Sequence, residues 1–214
     1  MPRILKIDPQ KADYLLLKPA VETLLKGGVV AGPTETFYGL MALSGNAGAL
    51  ERVSRLKGRP ADKPFLLLLD TDLRVVCYAR NVPKSVEALA QRFWPGPLTL
   101  LLKAHLGLHP LLIGPQQTVA LRVEGLPSVR ILVRATDRAV TGTSANPSGQ
   151  PPAATAEEVA AYFGDGVDLV LDAGRLAGGQ PSTLVDVTTI PPRLVRAGVI
   201  GLEDLRAVIP DLRA

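Results

Sequence analysis

The sequence predicts one α/β domain built around a mixed β-sheet. Three observations lead to this class: short apolar runs alternate with helical patterns, the runs are apolar at nearly every position, and two of them are joined by only a tight turn. A run such as 65–69 (FLLLL) has no polar side, so its sheet must be covered on both faces. Since 47% of the 214 residues are hydrophobic, we expect residues 1–214 to form a single domain.

The predicted strands are apolar or β-branched runs bounded by turn residues. They cover residues 29–31, 65–69, 98–102, 119–123, 169–171, 184–187 and 194–196. The spacing between 65–69 and 98–102 leaves room for one helix, as a crossover between parallel strands requires. Only a turn at Pro191-Pro192 joins the last two strands, which predicts an antiparallel pair and therefore a mixed sheet.

Helices are predicted where apolar residues recur at helical spacing or where terminal signals occur. The first, at 19–26, ends at Gly27-Gly28, a glycine pair typical of a helix C-terminus. Thr155 and Glu158 form a capping-box pattern that opens a helix at Ala156–Phe163. The remaining predicted helices are Ala47–Lys57, 82–93 and 201–208.

The composition of the chain excludes only a few classes of function. No uncharged apolar stretch reaches about 18 residues and the N-terminus has no signal-peptide pattern, so we expect a cytoplasmic protein without membrane contact. The apolar neighbours of Cys77, the one cysteine, predict a buried and unreactive side chain. A net charge of +4 fits either an anionic ligand or nucleic acid.

Three segments carry groups suited to binding anions: 33–40 (PTETFYGL), 57–64 (KGRPADKP) and 143–149 (TSANPSG). In the first, hydroxyl groups leave the end of a strand, where α/β sheets usually bind ligands. In the second, cations alternate with Gly and Pro, which orients them toward a phosphate. An ordinary strand-to-loop turn and a solvated cation cluster that stabilises the helix C-terminus remain alternatives for these two segments.

Other polar residues add to this predicted pocket. Ser144 and Asn146 stand at alternate positions and would point to the same side of an extended chain. Arg122 and Arg196 each interrupt an apolar strand, and arginine is well suited to grip a carboxylate or phosphate. The sequence contains no P-loop, no G-x-G-x-x-G at a strand end and no zinc-ligand spacing, so a bound nucleotide would occupy a non-standard site.

Taken in order, these segments resemble the YrdC-like threonylcarbamoyl-AMP synthases, from about Lys6 to Leu205. The resemblance is carried by Pro-Thr-Glu-Thr-x-Tyr-Gly-Leu at 33–40, Lys57-x-Arg59, Trp94-Pro95-Gly96-Pro97-Leu98-Thr99, Ser144-x-Asn146, Ser182-Thr183 and Arg196.

The resemblance implies a twisted, mixed sheet with flanking helices around a basic concave cavity. It also implies a nucleotidyltransferase that condenses L-threonine, bicarbonate and ATP into threonylcarbamoyl-AMP and pyrophosphate for tRNA modification. A downstream tRNA threonylcarbamoyl transferase would use the product, and contact with tRNA or other RNA is expected. Mg²⁺ would be held mainly by the phosphates of ATP, so no metal site made by the protein is expected.

The same resemblance implies catalytic and substrate-binding roles for individual residues. The reacting centre would comprise Lys57, Arg59, Ser144 and Asn146. The L-threonine subsite would comprise Thr36, Arg122, Gly142 and Ser182. ATP would bind to Arg59, Lys63, Thr118, Ser144, Pro152 and Arg196.

One position departs from the family pattern. Leu68 stands where the family often has a histidine in the threonine subsite, and we expect Leu68→His to be tolerated. This departure supports the alternative function, a YrdC-like protein that no longer catalyses synthesis and binds RNA through the same cavity. The Lys57, Arg59, Ser144 and Asn146 set argues against that alternative.

Overall fold

The structure is a computed structural model that describes residues 1–11, 13–58 and 63–214. Within these ranges the chain forms eleven strands and seven α-helices. The strands are β1 (Arg3–Lys6), β2 (Val30–Pro33), β3 (Tyr38–Met41), β4 (Leu67–Leu69), β5 (Leu98–Lys103), β6 (Thr118–Val123), β7 (Val140–Thr141), β8 (Thr143–Ser144), β9 (Leu169–Asp172), β10 (Thr183–Asp186) and β11 (Arg193–Arg196). The helices are α1 (Tyr14–Leu25), α2 (Ala47–Lys57), α3 (Val75–Tyr78), α4 (Ser85–Phe93), α5 (Pro127–Thr136), α6 (Ala156–Phe163) and α7 (Leu202–Val208).

The strands form two mixed sheets. One has the order β1-β9-β2-β3-β8 and the other β11-β10-β5-β6-β4-β7. The α/β class and the mixed pairing are confirmed, and so is the antiparallel pair β10–β11. The predicted parallel relation of the 65–69 and 98–102 strands is wrong, because β6 lies between β4 and β5, parallel to the first and antiparallel to the second.

Successive residues of the central strands point into two different apolar cores. In β4, Leu67 and Leu69 join the larger core, which also includes residues of α2, α4 and α6, whereas Leu68 joins a second core with α1 and α5. The same alternation separates Leu40 from Met41 in β3. Because both faces of these strands are covered, they have the nearly continuous apolar sequence from which the class was predicted.

A short segment joins the two sheets. β7 pairs with β4 in the six-stranded sheet, and β8, which follows after Gly142 alone, pairs with β3 in the five-stranded sheet. The fully buried side chain of Thr141 reinforces this junction: its Oγ1 donates to the carbonyl of Leu40 at 2.9 Å and accepts from the N–H of Ala42 at 3.0 Å. The strands thus form two sheets where the sequence predicts one, and residues 140–144 join them.

Several local predictions differ from the structure. Helix α1 begins at Tyr14 rather than at 19, because Asp13 caps it by accepting from the N–H of Leu16 at 2.9 Å and Pro19 lies inside the helix. The sequence analysis missed β1, β3, β7, β8, α3 and α5. The prediction that Cys77 is buried is wrong, since it lies on the exposed side of α3.

No helix in the described ranges is both long and apolar enough to cross a lipid bilayer.

The Thr141 hydroxyl gives a test of the sheet junction. Thr141→Val keeps the side-chain shape but leaves the Ala42 N–H without that acceptor, so we expect the free energy of unfolding to fall by about 1–3 kcal/mol. Denaturant unfolding measures this. Thr23→Val is the control, because the Thr23 hydroxyl bonds only to Pro19 O within α1, and we expect a change of at most about 0.5 kcal/mol. Equal losses in the two variants would contradict the special importance of Thr141.

Candidate functional site

A cavity of about 790 Å³ lies against the six-stranded sheet. Strand alternation builds its floor: in β6, Val119 and Leu121 point into the larger core, whereas Thr118, Ala120 and Arg122 line the cavity. Strands β5, β10 and β11 contribute to the same floor. The polar residues that interrupt apolar strands in the sequence are therefore those that face the cavity.

Loops and the second sheet supply the walls of this cavity. The chain after β2 contributes Thr34, Thr36 and Phe37, and the sheet junction contributes residues 142–144. Residues 179–182, which lead into β10, close another side. The position of the first segment at the end of a strand agrees with the interpretation of the 33–40 segment as part of a ligand site.

The cavity gathers most of the site residues predicted from the sequence. Lys57 and Asn146 lie behind its wall, and Arg59 is outside the described residues. The predicted residues that line it are Thr36, Lys63, Thr118, Arg122, Gly142, Ser144, Pro152, Ser182 and Arg196. Their roles toward threonine or ATP stay predictions.

Lys57 anchors the wall of the cavity from behind. At the C-terminus of α2 its side chain is buried, with 4% of the residue exposed, and its Nζ donates to the carbonyl oxygens of Ser144 and of Asn146, the latter at 2.8 Å. Asn146 Oδ1 in turn accepts from Ser144 Oγ at 2.6 Å. In this geometry the ammonium group of Lys57 fixes the backbone that presents the Ser144 side chain to the cavity.

Arg196 is positioned by its neighbours in the cavity. Its guanidinium donates to the carbonyl of Ser182 at 2.8 Å and to Ser182 Oγ at 3.1 Å, and that hydroxyl lies 2.8 Å from Thr99 Oγ1. Burial, together with the charge of Arg122, lowers the pKa of Arg196. Arg196 forms no ion pair with any described residue, so its charge is available to an anionic ligand.

Arg122 differs from Arg196 because carboxylates lie behind it. Its Nη2 forms a buried ion pair with Glu124, which is fully buried directly after the end of β6. Glu35 approaches from the loop after β2, and burial, followed by the charge of Glu124, raises the pKa of Glu35 to about 7. The sequence analysis assigned nothing to Glu35 or Glu124; the available signal was that Glu124 stands two residues after Arg122, directly after the apolar run.

Leu68 lies one layer behind the cavity wall. A Cβ added to Gly142 would come within 2.7 Å of Leu68 Cγ, so the two residues are in close contact, and Leu68 is fully buried in the second core. This placement argues against the expectation that Leu68→His is tolerated, because an imidazole there would be buried among apolar side chains.

Further cavity residues were not predicted from the sequence, including Thr99, Asp186 and Arg193. Arg193 and Arg196 are three residues apart, so a regular strand would turn them to opposite faces. A register shift in the β10–β11 pair, which leaves Val195 without a partner, allows both to line the cavity. Among the described lining residues, cations outnumber the single acidic residue, Asp186. Because Glu124 offsets the charge of Arg122, the basic character of the cavity stays a prediction.

Comparisons with known proteins agree on one family. The model of the Sua5/YciO/YrdC family, described as telomere recombination, matches residues 22–198. A threonylcarbamoyl-AMP synthase of Pyrococcus abyssi is 36% identical over 197 residues, which cover 92% of this chain and 58% of the relative. A threonylcarbamoyl-AMP synthase of Marinobacter nauticus is 36% identical over 184 residues, covering 85% of this chain and 96% of the relative.

A solved structure supports the same fold. The crystal structure of P. abyssi Sua5 complexed with L-threonine superposes with a TM-score of 0.91 at 33% identity. The alignment covers 100% of this chain and 62% of that one. The chain thus spans about three fifths of the P. abyssi protein and nearly all of the M. nauticus protein.

Lys57→Met tests whether this lysine holds the cavity wall. The substitution removes the donor to the carbonyls of Ser144 and Asn146, so we expect the free energy of unfolding to fall by about 1–3 kcal/mol. Lys18→Met is the control: Lys18 is exposed on α1, and we expect a change within about 0.5 kcal/mol. If Lys57→Met unfolds at the wild-type denaturant concentration, the lysine does not anchor the wall.

Proposed function

Because this chain belongs to the Sua5/YciO/YrdC family, we propose that it is a threonylcarbamoyl-AMP synthase that condenses L-threonine, bicarbonate and ATP into threonylcarbamoyl-AMP and pyrophosphate. The product would serve the modification of tRNA to threonylcarbamoyladenosine, through a downstream transferase.

One structural observation supports this proposal most strongly. Nine residues to which the family resemblance assigns a ligand converge on one cavity, although they come from loops and strands distributed between positions 36 and 196. The cavity volume of about 790 Å³ lies within the usual range for small-molecule sites. The two relatives described above carry the same activity in their names.

The reaction requires positioning and charge neutralisation more than acid–base chemistry. The threonine amine adds to bicarbonate with loss of water, which gives a carbamate; a carbamate oxygen then attacks the α-phosphorus of ATP and pyrophosphate leaves. Holding these partners together lowers the entropic part of the barrier, and fixed cations stabilise the charge that accumulates at phosphorus. The cavity offers Lys63, Arg196 and Arg193 for this purpose.

The threonine subsite would lie at the floor of the cavity. A relative was crystallised with L-threonine, and in this chain Arg122 is the buried guanidinium that best suits its carboxylate. Thr36 and Ser182 would offer hydroxyl groups to the amino acid, and Gly142 would leave room for it.

ATP would occupy the part of the cavity nearer its opening. Lys63 is an exposed residue of the lining, and the other predicted ATP contacts in the lining are Thr118, Ser144, Pro152 and Arg196. Mg²⁺ would be held mainly by phosphate oxygens. The cavity residues fit this arrangement, because Asp186 is the single carboxylate among the described lining residues and its Oδ1 already accepts from Thr188.

The first experiment measures pyrophosphate release from ATP and bicarbonate with and without L-threonine, and identifies the nucleotide product by mass. We expect threonine-dependent release and the mass of threonylcarbamoyl-AMP. If the folded protein gives no threonine-dependent release but short RNA raises its melting temperature, the RNA-binding alternative replaces the proposal.

Arg196→Met tests the proposed contact with ATP. Loss of a charge-assisted contact should raise the KM for ATP by about 10- to 100-fold, with a smaller effect on the KM for threonine. Arg55→Met is the control, since Arg55 is exposed on α2 away from the cavity and should leave both constants unchanged. An unchanged KM for ATP in Arg196→Met would remove Arg196 from the ATP subsite.

A further inference from the structure

Three charged residues form a buried cluster next to the cavity. Arg122 lines the cavity and pairs with Glu124, whose side chain is fully buried. Glu35 reaches the same cluster from the loop between β2 and β3, where its Oε1 lies against Gly125, the residue that follows Glu124. Oε2 of Glu35 and Oε1 of Glu124 are both buried and accept no hydrogen bond from a described residue. The cluster therefore brings together one guanidinium and two carboxyl groups.

A glycine makes the approach of Glu35 sterically feasible. A Cβ added to Gly125 would lie 2.3 Å from Glu35 Oε1, closer than any side chain allows. Glu35 therefore sits in a notch that position 125 leaves open, with its side chain turned away from the cavity that Thr34 and Thr36 line.

Two neighbouring buried carboxyl groups favour a state in which they share one proton, because two negative charges at short distance repel each other. With that proton, the charges of Arg122, Glu35 and Glu124 sum to zero; without it, the cluster carries one negative charge. The other charged groups around it are Arg130 of α5, which donates to the carbonyls of Glu124 and Gly125 at 3.2 and 3.1 Å, and Arg196 of β11 beside Arg122. The raised pKa of Glu35, about 7, places its change of charge near neutral pH.

We propose that Glu35 is a positioning residue for the substrate amino acid: by sharing a proton with Glu124, it leaves Arg122 aimed at the cavity and able to attract the carboxylate of threonine. This inference rests on the proposed function, since it assigns to Arg122 the carboxylate of that substrate. It adds a second role for the PTETFYGL segment at 33–40. Thr34 and Thr36 of this segment line the cavity, whereas Glu35 acts on Arg122 from the side away from the cavity.

The proposal has a definite pH dependence. Glu35, with a pKa of about 7, is protonated below that pH and ionised above it. Ionisation brings a second negative charge close to Arg122, which repels an incoming carboxylate, so threonine binding weakens as the pH rises through 7.

The test compares wild-type protein with Glu35→Gln, in which an uncharged amide replaces the shared proton. Calorimetry should show the Kd of wild type for L-threonine rising at least about fivefold from about pH 6 to about pH 8.5, whereas the Kd of Glu35→Gln stays nearly constant. Glu22→Gln, an exposed residue on α1, is the control and should keep the wild-type profile. The same pH dependence in Glu35→Gln and in wild type would overturn the proposal.

Unfolding gives a second measurement that does not depend on threonine. Because the folded-state pKa of Glu35 is raised from 4.5 to about 7, its protonation stabilises the wild-type fold fully below about pH 4.5, and this contribution is lost as the pH rises through about 7. The difference in unfolding free energy between wild type and Glu35→Gln should follow this course, and a difference that is constant with pH would contradict the shared proton.

The two measurements separate the two proposals. If wild type binds no threonine but shows the predicted unfolding difference, the carboxyl pair exists and the proposed function fails. If wild type makes threonylcarbamoyl-AMP and Glu35→Gln keeps the wild-type pH profile for threonine, the function holds and the inference about Glu35 is wrong.

Discussion

The fold depends on a chain segment that belongs to two sheets at once. Residues 140–144 pair with β4 on one side of Gly142 and with β3 on the other, and the buried hydroxyl of Thr141, a residue that pairs with β4, bonds to Leu40 and Ala42 at β3. Because the sheets are joined at this point, they enclose a cavity between the face of one and the edge of the other. The position of Ser144 on the cavity wall follows from the crossing.

Lys57 shows that a charged side chain can have a structural role. A buried ammonium group is costly unless its donors are satisfied, and here they meet main-chain carbonyls of the crossing segment and the adjacent loop. Helix α2 and the cavity wall are therefore tied together by one side chain. In the described residues, the charges that face the cavity itself come from other positions, chiefly Arg122, Arg193 and Arg196.

Sequence reasoning recovered the apolar strands, and it singled out Arg122 because a polar interruption is conspicuous in an apolar run. Other predicted residues that line the cavity, such as Thr118 and Pro152, were found only through the family resemblance. Sequence reasoning failed where tertiary contacts decide the outcome. β7 and β8 are two residues each, too short to show a period, and the location of Lys57 behind the wall depends on the path of a loop almost 90 residues away. Glu35 has ordinary neighbours in sequence, and its altered pKa arises only when folding brings it to Glu124.

The contact between Leu68 and Gly142 links two parts of the molecule that usually change independently. Leu68 belongs to the apolar core with α1 and α5, whereas Gly142 is surface of the cavity. A larger or smaller side chain at position 68 would shift Gly142, and with it the part of the cavity wall that contacts a ligand. Evolution at this core position is therefore limited by ligand fit as well as by packing, and positions 68 and 142 are expected to covary among relatives.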